Sequence, residues 1–261
     1  MNKIANMISR IQWIILLLTL GLASLSVSAQ DNEEERVLFI GNSFTFFWNT
    51  PQLVEAMAKD QGVNLDAFQS TVGGSHLKQH WEGEKNTQTR KRLEEESWSR
   101  VIIQDHSTST IAHTERFREY AGKFIDLVRE KQAEPVLFLT WAYDSNPVMQ
   151  PEITEEYLKL GKEKGVRVIP AGMVWEQARN LRPDLDLFFD DKHQTPEGTY
   201  LNALLIYKTL TGRSVAEIPN RLSVITADGE KLYLTFILPE NGKFLRDLVE
   251  RFDVANTNFS N

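Results

Sequence analysis

Three residues of the sequence have the types and surroundings needed for nucleophilic catalysis. Ser43 lies just beyond a short apolar run, 37–40. A serine hydroxyl is a poor nucleophile until an adjacent base takes its proton. His193 can be that base, and Asp190, three residues earlier, can bind the second ring nitrogen and orient the imidazole. The alternatives from these residues alone are a turn serine at Ser43 and a surface histidine near a helix cap at His193.

The residues after His193 predict how it is held. Thr195 can cap a helix and Pro196 suits its first turn, so we expect His193 in a loop just outside a rigid helix. Asp191 is the other candidate for orienting the imidazole, and we expect its side chain to point away.

Continuous apolar runs predict the strands that must position these side chains. The runs lie at 37–40, 67–68, 101–103, 135–139 and 166–169. Helical patterns alternate with them, the most evident at 51–57, 117–128, 153–160, 174–178 and 196–210. Continuous runs are typical of strands that are covered on both faces. We therefore expect a three-layer α/β/α flavodoxin-like fold with a parallel sheet of about five strands.

The carboxyl ends of such strands form the edge at which ligands bind, so the loops after the strands should carry the chemistry. The pattern is weaker beyond the helix at 196–210. There, 232–238 could be a strand, 244–252 is helical in pattern, and 255–261 has the composition of a frayed polar tail.

The N-terminal residues predict export. A positive start, an apolar run from Trp13 to Leu25 and small residues before Ala29 form the pattern of a secretory signal peptide. We expect cleavage after Ala29, a single domain over 30–261, and a secreted or periplasmic protein without a membrane segment after cleavage. The alternative is an uncleaved anchor, although the apolar run is shorter than the roughly 20 residues that a spanning helix needs.

Composition narrows the function classes. The chain of 261 residues contains no cysteine, which excludes disulfides, thiolate nucleophiles and Cys-ligated metals. The formal net charge is −7 and no Lys/Arg-rich block is present, so we expect no nucleic-acid partner. The oligomeric state stays open.

Several short segments together resemble the SGNH hydrolase superfamily, also called GDSL-like esterases. They are Gly41-Asn42-Ser43, Val72-Gly73-Gly74-Ser75 and the Asp190-x-x-His193 block, in that order along the chain. A bacterial secreted branch with Gly-Asn-Ser-aromatic-Thr is the closer likeness. The resemblance covers about 37–212 and implies the same fold, a Ser43–His193–Asp190 triad, and no cofactor or metal.

The resemblance also implies an oxyanion hole, with one departure. The backbone N–H groups of Ser43 and Gly74 would contribute to it. The family's third block usually offers an asparagine, but here the matching strand ends in Gln104-Asp105-His106-Ser107. We expect the Gln104 amide to substitute as the third donor; the alternative is that Gln104 only ties loops together.

Other candidates are aromatic or histidine residues near the same loops. Trp48, Trp141 and Tyr143 fall near the expected site and are candidate sugar-binding residues, unless they only pack the loop layer. His76 and His80 have the i, i+4 spacing of zinc ligands, but they lack the glutamate of a zinc protease helix. We expect a structural or substrate-contacting role for them.

The sequence therefore predicts a serine ester hydrolase. Our first expectation is removal of O-acetyl groups from carbohydrate or polysaccharide substrates. A general short-chain acyl esterase or lipase-type enzyme is the alternative, and a carbohydrate-binding protein on a decayed hydrolase scaffold is the third.

Overall fold

Residues 34–260 are described by a computed structural model. The predicted signal peptide, 1–29, lies outside the described residues, so export and cleavage stay predictions. Within the described part of the chain, no helix is long and apolar enough to cross a bilayer.

A parallel five-stranded sheet forms the centre of the fold. Its strands are β1 (Glu35–Gly41), β2 (Leu65–Thr71), β3 (Arg100–Ile103), β4 (Glu134–Phe138) and β5 (Arg167–Ile169). They lie in the order β2-β1-β3-β4-β5. Ile40 pairs with Ser70 of β2 on one side and with Ile103 of β3 on the other. The carboxyl end of β1 is therefore flanked by the loops that follow β2 and β3, and the predicted sheet is confirmed.

Helices follow the strands as the alternating pattern predicted. They are α1 (Ser43–Phe46), α2 (Thr50–Asp60), α3 (Leu77–Glu82), α4 (Thr89–Glu95), α5 (Ser109–Ala112), α6 (Thr114–Glu130), α7 (Gln150–Lys164), α8 (Ala171–Leu181), α9 (Pro196–Thr211) and α10 (Pro239–Arg251). Short 3₁₀ turns lie at Phe47–Asn49, Glu84–Asn86, Pro147–Met149 and Val254–Thr257.

Alternating strand residues build two cores, one on each face of the sheet. Val37 and Phe39 pack with apolar residues of α2, α8, α9 and α10. Leu38 and Ile40 pack with residues of α3, α4, α6 and α7. All four side chains are fully buried, because successive side chains of a strand point to opposite faces and both faces carry helices. The three-layer α/β/α architecture is thus confirmed.

A separate hairpin follows α9. Strands β6 (Arg221–Ile225) and β7 (Lys231–Phe236) pair antiparallel with each other and do not join the main sheet. The possible strand at 232–238 corresponds to β7, whereas β6 was not predicted.

Candidate active site

Ser43 lies at the carboxyl end of β1, as the first residue of the short helix α1. Asn42 caps that helix, since its Oδ1 accepts a hydrogen bond from the backbone N–H of Phe44 at 3.1 Å. The cap turns the chain sharply out of the strand and leaves the Ser43 side chain half-buried at the sheet edge. This is the position at which ligands meet a parallel sheet.

The structure brings His193 and Asp190 to Ser43. The Nε2 atom of His193 lies 2.8 Å from Ser43 Oγ, and its Nδ1 atom lies 2.7 Å from Asp190 Oδ2. A carboxylate only accepts hydrogen bonds, so we assign the ring proton to Nδ1 and the free lone pair to Nε2. In this tautomer Nε2 can accept the Ser43 hydroxyl proton, as a general base must.

Asp190 is fixed by its own backbone environment. Its Oδ1 accepts hydrogen bonds from the N–H groups of Lys192 and His193 at 2.8 and 2.7 Å. Burial acts to raise the pKa of Asp190, but hydrogen bonds from the His193 ring and from these two N–H groups lower it to about 2. Asp190 is therefore a carboxylate over the working pH range. Asp191 binds the Ser145 N–H at 2.8 Å instead, so it is not the partner of the His193 ring.

Two tryptophans hold the loop that carries His193. The Trp48 indole N–H donates to the Gln194 carbonyl and the Trp141 indole N–H donates to the Lys192 carbonyl, both at 2.9 Å. The Trp141 ring is stacked between Phe44 at 4.6 Å and Trp175 at 4.2 Å. Trp141 is only 1% exposed, so the prediction that it contacts substrate is wrong. Its face is covered by core aromatics, and its function is to support the loop.

The other two predicted substrate residues remain accessible. Trp48 is 43% exposed, and Tyr143 is half-buried with its hydroxyl 2.8 Å from Ser107 Oγ. Their role in binding substrate stays a prediction.

Two further aromatics at the site were not singled out from the sequence. The Phe47 ring stacks on His193 with a centroid distance of 4.8 Å, and Phe189, which is 61% exposed, lies 5.8 Å from Phe47 and 6.1 Å from Trp48. Phe47 lies four residues after Ser43, and Phe189 directly precedes Asp190. An aromatic residue so close to each motif could have indicated that these two side chains also lie at the site.

The loop after β2 lies against the Ser43 turn. The Val72 N–H donates to the Gly41 carbonyl at 3.2 Å, and the Asn42 side-chain amide donates to the Ser75 carbonyl at 2.9 Å. Gly74 in this loop has φ +61° and open space around its Cα. Within residues 34–260, the N–H groups of Ser43 and Gly74 donate no hydrogen bond, so both are available to a developing oxyanion.

Gln104 does not present its amide as the predicted oxyanion donor. The Asn42 N–H and the Thr45 hydroxyl both donate to Gln104 Oε1, at 2.9 and 2.8 Å. Its Nε2 donates to the Asp105 carbonyl, and the residue is 1% exposed. These contacts correct the prediction in favour of the alternative, because the Gln104 amide ties the Ser43 turn to the loop after β3.

His80 lies beneath the same turn. Its Nε2 is 3.0 Å from the Gly41 carbonyl and 2.8 Å from Ser75 Oγ, and its Nδ1 is 2.6 Å from Thr89 Oγ1. Burial lowers the pKa of His80 to about 4, so its ring is neutral near pH 7. These contacts give His80 a structural role, and among the described residues no group of three or more His, Asp and Glu side chains could hold a metal ion.

Of three comparisons with known proteins, the search of solved structures finds matches, and these agree on the fold. A scan against protein-family models finds no match, and a search of curated proteins finds none either. Among solved structures, a DUF4886 family protein from Bacteroides uniformis has a TM-score of 0.63 and 20% identity, covering 84% of this chain and 94% of that protein. A protein from Slackia heliotrinireducens assigned to the SGNH hydrolases has a TM-score of 0.60 and 18% identity, with 68% and 99% covered.

An esterase is similar as well. The psychrotrophic esterase EstA from a Pseudoalteromonas species has a TM-score of 0.56 and 10% identity, covering 69% of this chain and 98% of that enzyme. At these identities the likeness concerns the fold, and it confirms the fold that the sequence blocks implied. This chain therefore has the three-layer fold of the SGNH hydrolases.

Proposed function

We propose that this protein is a serine ester hydrolase that removes O-acetyl groups from carbohydrates. The observation that carries the proposal is the relay from Ser43 Oγ to His193 Nε2 at 2.8 Å and from His193 Nδ1 to Asp190 at 2.7 Å. The relay lies at the carboxyl edge of the sheet, where a substrate can reach it.

The geometry supports a two-step acyl transfer. Ser43 Oγ attacks the ester carbonyl while His193 Nε2 takes its proton, and Asp190 stabilises the resulting imidazolium. The N–H groups of Ser43 and Gly74 hold the oxyanion of the tetrahedral intermediate. His193 then protonates the leaving alcohol, which gives an acetyl-serine. Water, deprotonated by His193, releases acetate and restores Ser43, so protons and oxygen atoms balance without a cofactor.

The surroundings of Ser43 favour a sugar alcohol as the leaving group. The exposed rings of Trp48 and Phe189 contact Phe47, whose ring stacks on His193, and aromatic faces of this kind pack well against the apolar faces of sugar rings. The predicted signal peptide is compatible with a polymer substrate outside the cytoplasm.

A small acyl group fits the same surroundings better than a long one. Cavities of about 660 and 420 Å³ lie elsewhere in the described part of the molecule, and neither is lined by Ser43 or His193. Neither cavity therefore lies directly against Ser43 as a site for a long acyl chain. This observation favours a deacetylase over a lipase-type enzyme.

The test is acetate release from an acetylated xylan and from a small aryl acetate, with the wild-type chain beside Ser43→Ala. We expect both activities, and a loss of at least about a thousandfold in kcat for Ser43→Ala because the nucleophile is gone. Ser223→Ala, a serine of the remote strand β6, is the matched control and should keep wild-type rates.

The outcomes separate the alternatives. Activity on the aryl acetate alone would favour the general short-chain esterase. Folded protein that is inactive on both esters but binds the glycan would favour the carbohydrate-binding alternative and would contradict a hydrolase.

A further inference from the structure

Positively charged side chains gather around the Ser43 edge although the whole chain carries a formal charge of −7. Lys85, Lys192, Arg116 and the half-buried His106 belong to four different segments, all of which reach the carboxyl edge of the sheet. In the described residues, none of the three cations forms an ion pair within 4.0 Å. Their charge is therefore available to a ligand.

Lys85 is held against the loop that carries Gly74. Its ammonium donates to the Gly74 carbonyl at 3.1 Å, although the side chain is otherwise exposed. Lys85 and Asn86 have φ of 52° and 59°, a left-handed conformation that few residues other than glycine adopt. Strained backbone of this kind clusters at functional sites. Here it places a cation next to one of the two candidate oxyanion donors.

Lys192 belongs to the loop that carries His193. It precedes His193 directly, and its backbone carbonyl is fixed by the Trp141 indole at 2.9 Å. Its ammonium lies 5.9 Å from the centre of the Tyr143 ring. Tyr143 is in turn bonded to Ser107 in the loop after β3. The second cation therefore faces the same loop as His106.

His106 offers an N–H donor in the same region, where the charges of both lysines act on its ring. The Thr108 N–H donates to its Nδ1 at 3.3 Å, and the Thr108 hydroxyl lies 3.2 Å from the same nitrogen. We therefore assign the ring proton to Nε2, which has no partner among residues 34–260. One oxygen of Asp105 binds the N–H groups of His106 and Leu77 at 2.7 and 2.8 Å, which fixes this loop to the Gly74 loop.

The electrostatic environment of His106 is positive. Burial, followed by the charges of Lys192, Arg116 and Lys85, lowers the pKa of His106. The Nε atom of Arg116 is buried without a partner within the described chain.

The acidic groups of this edge are mostly engaged. Asp190 and Asp191 are bound to His193 and Ser145, and Asp105 is fully buried. Glu84 is also exposed, and its charge acts to raise the pKa of His76, although burial lowers that pKa overall.

We infer that Lys85, Lys192 and the Nε2–H of His106 form an anion-binding subsite beside Ser43, so that the acetylated saccharide carries an acidic group such as a uronate carboxylate. This inference rests on the proposed function and names its substrate class. The acid would be bound while the ester carbonyl faces Ser43, which would orient the acetyl group for attack. Ionic contacts at an exposed edge are individually modest, so several cations are needed for selectivity.

The test compares two substrates that differ in whether their carboxylates are free and charged or neutralised as methyl esters. They are an O-acetylated polygalacturonate with free carboxylates and the same polymer with its carboxylates methyl-esterified. The measured quantity is kcat/KM for acetate release, and the preference is the ratio of the two values. We expect the wild-type chain to prefer the charged polymer, and we expect added salt to reduce that preference because salt screens exposed charges.

Charge-reversal variants locate the effect. Lys85→Glu and Lys192→Glu should each lower the preference about fivefold, as expected for loss and reversal of a surface ionic contact. Lys131→Glu makes the same charge change at the opposite edge of the sheet, directly after α6, and should keep the wild-type preference. This control separates a local subsite from the effect of net charge.

Each outcome decides the inference. A wild-type enzyme without preference for the charged polymer would overturn it while leaving the esterase intact, as would an equal loss of preference in Lys131→Glu. Inactivity on both polymers and on the aryl acetate would overturn the proposed function itself, and the subsite with it.

Discussion

At the scale of single residues, the orientation of His193 depends on Asp190. Asp190→Asn keeps the shape of the side chain but replaces an acceptor with a group that can also donate, which favours the wrong ring tautomer. We expect kcat for the aryl acetate to fall by about a thousandfold or more, with little change in KM. Steady-state kinetics of the purified variant measures both.

Asp191→Asn is the matched control for that change. It alters the neighbouring carboxylate, which binds the Ser145 N–H rather than the imidazole. We expect a change in kcat of less than about threefold, since no group in contact with the reacting atoms is lost. Equal losses in the two variants would contradict the assigned partner.

Neighbouring side chains pack closely against the Cα of Gly41, at the start of the turn that carries Ser43. A Cβ at this position would lie 2.3 Å from Gln104 Oε1 and 2.5 Å from Thr45 Oγ1, and Gln104 is held by its own hydrogen bonds. We expect Gly41→Ala to lower the free energy of unfolding by about 2–3 kcal/mol and to reduce kcat, because the turn must move.

Gly73→Ala offers the comparison for stability. A Cβ there meets no atom within 4 Å, so we expect a change of less than about 0.5 kcal/mol. Denaturant unfolding followed by tryptophan fluorescence gives both values. An unchanged stability for Gly41→Ala would show that the Gln104 contacts are not as rigid as described.

The sequence located Ser43, His193 and Asp190 because each lies next to a strong local signal, namely a buried strand or a helix cap. Loops at one edge of a parallel sheet must then converge. The role of Gln104 could not be predicted in the same way. Its amide can face either the cleft or the Ser43 turn. It faces the turn because the Asn42 N–H and the Thr45 hydroxyl both need an acceptor there, and only the folded chain brings these two donors next to Gln104. Trp141 was misjudged for the same reason, since burial of a loop residue has no local signature.

At the scale of elements, His80 couples the turn after β1, the loop after β2 and α4. Burial lowers its pKa to about 4 from an ordinary value of 6.5. The unfolded chain therefore binds a proton here more readily than the folded chain does, and falling pH favours unfolding. This contribution to stability is complete above pH 6.5 and is lost as the pH falls towards 4. We expect a loss of about 3 kcal/mol across that window.

Denaturant unfolding at several pH values measures this effect, and His80→Gln isolates it. The variant removes the titrating group, so its stability should change less between pH 6.5 and 4 than that of the wild type, whatever its absolute stability. Asp190 contributes in a lower window, because its pKa of about 2 lies below the ordinary value of 3.8. If the stability of the wild type and of His80→Gln changed equally with pH, His80 would not be the residue responsible.

The elements that the sequence predicted best are those covered on both faces. Continuous apolar runs marked β1, β3, β4 and β5, because burial on both sides leaves no polar alternation. Strand β6 was missed because it is only partly buried and pairs in a two-stranded hairpin, so its pattern is weak. The expected frayed tail at 255–261 is wrong at its start. Val254–Thr257 forms a 3₁₀ turn in which Thr257 is only 2% exposed. The polar composition of this segment gave no sign that it packs against the domain.

At the scale of the whole molecule, the two cores should stabilise one another through the sheet they share. Ile102 and Ile103 are adjacent in β3, both are fully buried, and they point into opposite cores. Truncation to alanine therefore makes the same chemical change on each face. We expect Ile102→Ala and Ile103→Ala each to lower the free energy of unfolding by about 2–5 kcal/mol, since each leaves a cavity in a close-packed layer.

The shape of the unfolding curve carries the second half of this prediction. If both layers belong to a single domain, each variant should unfold in one cooperative transition, with the same midpoint by tryptophan fluorescence and by far-UV circular dichroism. The tryptophans at positions 48, 81, 98, 141 and 175, all within the described residues, report tertiary packing, and the helices on both faces of the sheet report secondary structure. A cost below about 1 kcal/mol for one isoleucine would mean that its face is poorly covered, and two separate transitions would mean that the layers fold independently. Either result would contradict a single domain built on one shared sheet, and with it the rigid edge on which Ser43, His193 and Asp190 depend.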